Sequence, residues 1–145
     1  MPTATAVDPL TVANRLRPVL LKLNRDLRRE IHALGVTGGQ ASLLVQIKGS
    51  PGIGLRELAA RERMSPAGMC RHVDRLVDAG LVDRTPSPED RRRVGLTVTA
   101  EGERVLRSVK SRRTAWLAER LMGLRKAELE AVDRAIDALH ELIDE

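Results

Sequence analysis

Arg71 and Arg75 lie four residues apart in a stretch with helical patterning. A guanidinium is a planar fork of donors that matches the O6 and N7 acceptors of guanine, so two outward arginines one turn apart suit the edges of bases in a major groove. Advancing about 100° per residue from Met69 gathers Met69, Val73, Leu76 and Val77 into one quadrant, which makes that side the core face. The opposite side carries Ala67, Gly68, Arg71, Asp74, Arg75 and Asp78, with Cys70 and His72 on the flanks. The bland alternative is a solvated face on which Arg71 and Arg75 pair with Asp74 and Asp78. A second basic feature follows at Asp90-Arg91-Arg92-Arg93. Adjacent arginines in a turn can meet phosphates, and one can enter a minor groove, where the potential is most negative. The competing reading there is a solvated turn.

Other reactive side chains are sparse. Cys70 sits near a helix start with Arg71 beside it, a setting that can lower a thiol pKa and serve oxidation sensing. The same position also fits a small, inert residue on the flank of a core. His32, His72 and His140 are scattered, and with one cysteine they give no zinc spacing, so neither a metal nor a cofactor is expected. Trp116 is the only aromatic side chain. It can line an effector pocket, or fill a core or a subunit interface with its large area. No Gly-x-Ser-x-Gly turn, phosphate-binding loop or dinucleotide fingerprint is present, and nothing places Ser, His and Asp together, so an enzyme is not expected.

The elements that must carry these groups follow from caps and periodicity. Residues 1–8 read as a loose leader. Leu16, Leu20, Leu23, Leu27 and Ile31 recur at helical steps within a helix from about Asp8 to Ala33, stopped by Gly35. Thr37 with Gln40 has capping-box spacing and starts a short helix to Lys48. Residues 49–52 are a turn, and a helix from Leu55 to Arg63 follows. Ser65-Pro66 supplies an N-cap and a first-turn proline for the helix that bears the arginines, which runs to Ala79 and ends at Gly80. Leu81–Thr85 and Val94–Val98 read as two strands of a hairpin with a basic tip. Thr99 caps a long helix to Leu121, residues 122–124 break it, and a last helix runs from Arg125 to Asp144. In that helix Leu129, Val132, Ile136, Leu139 and Ile143 make a coiled-coil-like seam.

The order of elements, two short helices joined tightly and then a basic hairpin, is a winged helix-turn-helix. The fold class is therefore mainly α, with a two-stranded β wing and flanking helices. The net charge of +5 agrees with a polyanionic partner, and the excess of cations lies ahead of residue 101. Hydrophobic residues at 42% support one packed domain whose core must be aliphatic. No apolar run is long enough to span a membrane, and no secretory pattern is visible, so a cytoplasmic location is expected.

Residues 36–102 resemble the MarR (multiple antibiotic resistance regulator) family of bacterial transcription factors. The resemblance is carried by Val36-Thr37-x-x-Gln40, Leu58-Ala59, Met64-Ser65-Pro66 and Leu76 through Gly80-Leu81-Val82-Asp83-Arg84. It continues in Pro88-Glu89-Asp90-Arg91-Arg92, Leu96-Thr97 and Glu101-Gly102, with Asp90 and Arg92 meeting the Asp-x-Arg pattern of the wing. It implies an obligate homodimer on double-stranded DNA, which represses genes from a palindromic operator and lets go when a small-molecule effector or an oxidant acts. It also implies that Arg92 reaches the minor groove while Asp90 holds it by a salt bridge. Ser65, Pro66, Ala67, Gly68, Arg71, His72 and Arg75 would lie at the major groove, and Asp90, Arg91, Arg92 and Arg93 would serve the wing. Residues 1–34 and 100–145 would form the dimerisation region around a DNA-binding lobe at 35–99. The interface would include Leu16, Leu20, Leu129, Val132, Ile136, Leu139 and Ile143, and Trp116 is the candidate for an effector pocket. Two departures stand out: Ala67 and Gly68 occupy places where many members carry Ser or Thr, and peroxide sensors of the family carry their cysteine near the N-terminus, not at position 70. The alternatives to a ligand-released regulator are a DNA-binding or protein-interaction module without an effector, and a thiol-based redox regulator working through Cys70.

Overall fold

A computed structural model describes residues 6–86, 89–90 and 92–144. The chain is helical but for one small sheet. Helix α1 (Pro9–Glu30) begins where the Asp8 carboxylate accepts the Thr11 N–H at 3.0 Å and Pro9 takes the first helical position. It ends three residues short of Ala33, and a single 3-10 turn at His32–Leu34 leads to Gly35 at φ +78°. The Thr37–Gln40 capping box is formed in both directions, at 3.1 and 2.9 Å, and starts α2 (Gly38–Gly49). Helices α3 (Leu55–Arg61) and α4 (Pro66–Asp78) make the helix-turn-helix. Strands β2 (Val82–Pro86) and β3 (Val94–Val98) form the antiparallel hairpin, registered Val82 against Val98 and Pro86 against Val94.

The sheet has a third strand, the two-residue β1 (Ile53–Gly54), on the other side of β3. Two residues cannot show an alternating pattern, so sequence periodicity passes over it. A Cβ at Gly95 would lie 2.7 Å from the Gly52 carbonyl oxygen, so the close passage of these segments requires a glycine on β3.

Helix α5 (Ala100–Met122) is fixed to the corner between α4 and β2. The Thr99 hydroxyl donates to the Gly80 carbonyl at 2.6 Å and accepts the Gly102 N–H at 3.0 Å. A Cβ on Gly102 would run into the Leu81 carbonyl oxygen, so the helix can sit this close only with glycine there. The core lies among α2, α3, α4, the sheet and the first half of α5. Leu44, Ile47, Leu58, Met69, Val73 and Leu76 are fully buried in it, and Ile31 closes it from the end of α1.

Helix α6 (Lys126–His140) ends earlier than the apolar spacing implies. The Ile143 N–H donates to the His140 carbonyl in a turn beyond the helix, so Ile143 is not the last position of a helical seam. Neither α1 nor α6 buries a residue. Leu16 is half-buried, while Leu20, Leu129, Val132, Ile136 and Leu139 are 37–46% exposed. Among the described residues no helix is long and apolar enough to cross a membrane.

Candidate nucleic-acid interface

The turn between α3 and α4 is built by local backbone chemistry. Arg63 takes a left-handed conformation at φ +53°, and the Met64 N–H returns to the Ala59 carbonyl at 2.9 Å. The Ser65 hydroxyl then accepts the Gly68 N–H at 3.1 Å, with Pro66 at the first position of α4. Gly68 is half-buried, and a Cβ there would come within 3.1 Å of that same hydroxyl. Its lack of a side chain thus makes room for the cap. Met69, Val73 and Leu76 anchor α4 to the core. Ser65, Pro66, Ala67, Arg71 and Arg75 are exposed, and Gly68 and His72 are half-exposed beside them.

Among the described residues the carboxylates on α4 form no ion pair with its arginines. Asp74 turns aside to an ion pair with Arg84 of β2, and among the described residues neither Arg71 nor Arg75 has an ionic partner. The Asp74 carboxylate raises the Arg84 pKa above its ordinary value by hydrogen bonding, against a smaller opposing effect of burial. Sequence reasoning missed this pair. The partners are ten residues apart, on two different elements, a spacing that no local pairing rule covers. The other Asp74 oxygen lies 3.9 Å from Cys70 Sγ, and the thiol is half-buried.

At the tip of the wing, the Asp90 carboxylate accepts the backbone N–H of Arg92 at 3.0 Å, and the Asp90 carbonyl accepts the Arg93 N–H at 3.0 Å. Asp90 therefore shapes the turn through the backbone, where a salt bridge to the Arg92 side chain was expected. Both side chains, Arg92 and Arg93, are exposed and without an ionic partner among the described residues. Arg91 lies outside the described residues.

Trp116 is buried under the Arg120 guanidinium, which stands 3.9 Å from the ring centroid, a cation–π contact. An open groove of about 450 Å³ runs between α2 and α5, lined by Ala41, Val45 and Leu117 together with Lys48, Lys110 and Arg113; Trp116 does not line it. The Arg113 Nε is buried and has no hydrogen-bond partner among the described residues. Among the described residues no cluster of His, Cys, Asp and Glu could hold a metal ion.

This arrangement has close counterparts. Residues 34–93 match the model of the MarR family. Over 92% of its length, and 94% of the other protein's, the chain is 34% identical to the HTH-type transcriptional regulator Mb0904 of Mycobacterium bovis. It is 28% identical to the HTH-type transcriptional repressor MdtR of Bacillus subtilis, over 79% of this chain and 74% of MdtR. The crystal structure of RV1404 from Mycobacterium tuberculosis superposes with a TM-score of 0.81 at 28% identity, covering 97% of each chain. Mb0904 and MdtR are both HTH-type transcriptional regulators, and RV1404 shares the fold of this chain. The chain belongs to the MarR family of transcriptional regulators.

Proposed function

We propose that this regulator is a cytoplasmic, homodimeric repressor that binds a pseudo-palindromic operator and releases it when a small molecule binds. The observation that carries the reading is the outer face of α4: Arg71 and Arg75 project from a well-anchored helix and, among the described residues, neither is in an ion pair. A helix of that kind fits a major groove, with the arginines at base edges and Ser65, Pro66, Ala67, Gly68 and His72 along the groove. Arg92 and Arg93 of the wing would serve the neighbouring minor groove or its phosphates.

The dimer follows from what α1 and α6 leave uncovered. Leu129, Val132, Ile136 and Leu139 form one exposed stripe, with Leu16 and Leu20 on α1 as a second apolar surface and Ile143 just beyond the helix. Burying these against a second copy would carry two α4 helices to successive major grooves, about 34–36 Å apart. Repression finds support in the name of MdtR. The place for an effector is the α2–α5 groove, whose mixed apolar and cationic lining suits a small amphipathic anion, and not the covered ring of Trp116.

The experiment is a selection of bound duplexes from a random library at physiological salt and again at higher salt. Two enriched half-sites in inverted repeat are expected. Binding with no enriched sequence, lost smoothly as salt rises, would instead indicate general phosphate attraction and a module that does not read sequence.

A further inference from the structure

Asp74 sits three residues after Arg71, so the two are neighbours on one helical face and a natural i,i+3 ion pair. With Asp74 and Asp78 opposing Arg71 and Arg75, the outer face of α4 would carry no net charge of its own. The fold breaks this cancellation at Asp74. Gly80, at φ +75°, turns the chain after α4, with the Gly80 and Leu81 N–H groups returning to the Val77 and Leu76 carbonyls, both at 2.9 Å. Strand β2 then runs back along the helix and brings the Arg84 guanidinium to the Asp74 carboxylate. One carboxylate oxygen is taken by Arg84 and the other is directed at Cys70 Sγ, 3.9 Å away.

We infer that Arg84 is a positioning residue that masks the charge of Asp74, keeping that carboxylate off Arg71 so that the arginines of α4 remain available to DNA. The inference rests on the reading of α4 as the DNA-facing helix. The pair is 39% and 50% exposed at its two side chains, a setting in which an ion pair adds little to folding stability, so its effect belongs to recognition. Loss of Arg84 would free Asp74 both to pair with Arg71 and to repel phosphate.

The test measures binding of a library-selected duplex and of a random-sequence duplex, across a salt series, by the full-length protein and its Arg84→Gln, Arg84→Lys, Asp74→Asn, Asp74→Asn/Arg84→Gln and Arg71→Ala variants. Arg84→Gln is expected to bind the selected duplex about tenfold more weakly, the order of one lost base-edge contact, with a salt slope smaller by about one. Asp74→Asn should bind at least as tightly as the unmodified protein, Arg84→Lys should stay near it, and the double variant should recover to within about twofold. A double variant as weak as Arg84→Gln would overturn the inference, since Arg84 would then act on DNA directly. Asp74→Asn as weak as Arg84→Gln would overturn it too, because the pair would be needed as a tie between helix and wing. If Arg71→Ala left both affinities unchanged, α4 would not be the reading surface, and the masking role would fall together with that reading.

Discussion

Between Val36 and Val109 most of the aliphatic side chains close on one another. Leu44, Ile47, Leu58, Met69, Val73 and Leu76 lose essentially all contact with water. Helices α1 and α6 have leucine and isoleucine at comparable spacing yet bury none of them, and Leu129, Val132, Ile136 and Leu139 share one exposed stripe. The lobe buries most of its own apolar surface; the terminal helices hold theirs out. The difference teaches that periodicity reports which face of a helix is apolar, whereas what covers that face depends on whether a neighbouring element of the same chain can reach it. For α6 none does, and a second copy is the partner we propose.

This contrast can be broken at either end. The largest effect is expected in the lobe. Leu76→Ala should lower stability by about 2–5 kcal/mol, the range for a truncated core leucine. Denaturant titration should show the loss at every protein concentration, and a cost below that range would mean that the lobe is less tightly packed than its burial implies. Next, Leu139→Asp places a charge in the exposed stripe. It should yield a folded lobe that sediments as a monomer and binds the selected duplex about a hundredfold more weakly, through loss of the second half-site contact. A variant that stays dimeric would put the interface elsewhere. Arg92→Ala leaves the seam untouched and should reduce the salt slope of binding by about one, a smaller change. An unaltered slope would remove the wing from the contacts.

The smallest effect concerns the start of α1. The Thr11 backbone N–H, followed by its hydroxyl, holds the Asp8 carboxyl below its ordinary pKa. A carboxylate with a lowered folded pKa stabilises the fold above its unfolded value of 3.8, and that contribution is lost as pH falls through the lower folded value. Asp8→Asn should therefore flatten the acid limb of helicity below pH 3.8, read by circular dichroism, because the titrating cap is gone. An identical acid limb in both proteins would show that the cap is not populated.

The sequence made the lobe legible because its boundaries are chemical. The Thr37–Gln40 box, Ser65-Pro66, Gly80 and Thr99 each satisfy orphan backbone groups locally, so they can be recognised without knowing the fold. The outward position of Arg71 and Arg75 followed from four apolar residues at helical spacing. What stayed hidden lacks local chemistry of that kind. Strand β1 is two residues held by pairing with β3. The end of α6 at His140 has no glycine or proline to announce it, and Ile143 continues the apolar spacing past the point where the backbone turns. The Asp74–Arg84 pair joins a helix to a strand across the Gly80 turn, and only the folded chain brings the two together.

The most direct test is a side-by-side selection from one random duplex library by the unmodified protein and by Arg71→Ala. If α4 reads base edges as a dimer, the unmodified protein will enrich an inverted repeat. The variant will enrich the same repeat with preference lost at one position in each half-site, at a cost of about 1–3 kcal/mol. Identical motifs and affinities from both proteins would contradict the account, because the exposed arginine of α4 would then have no part in recognition.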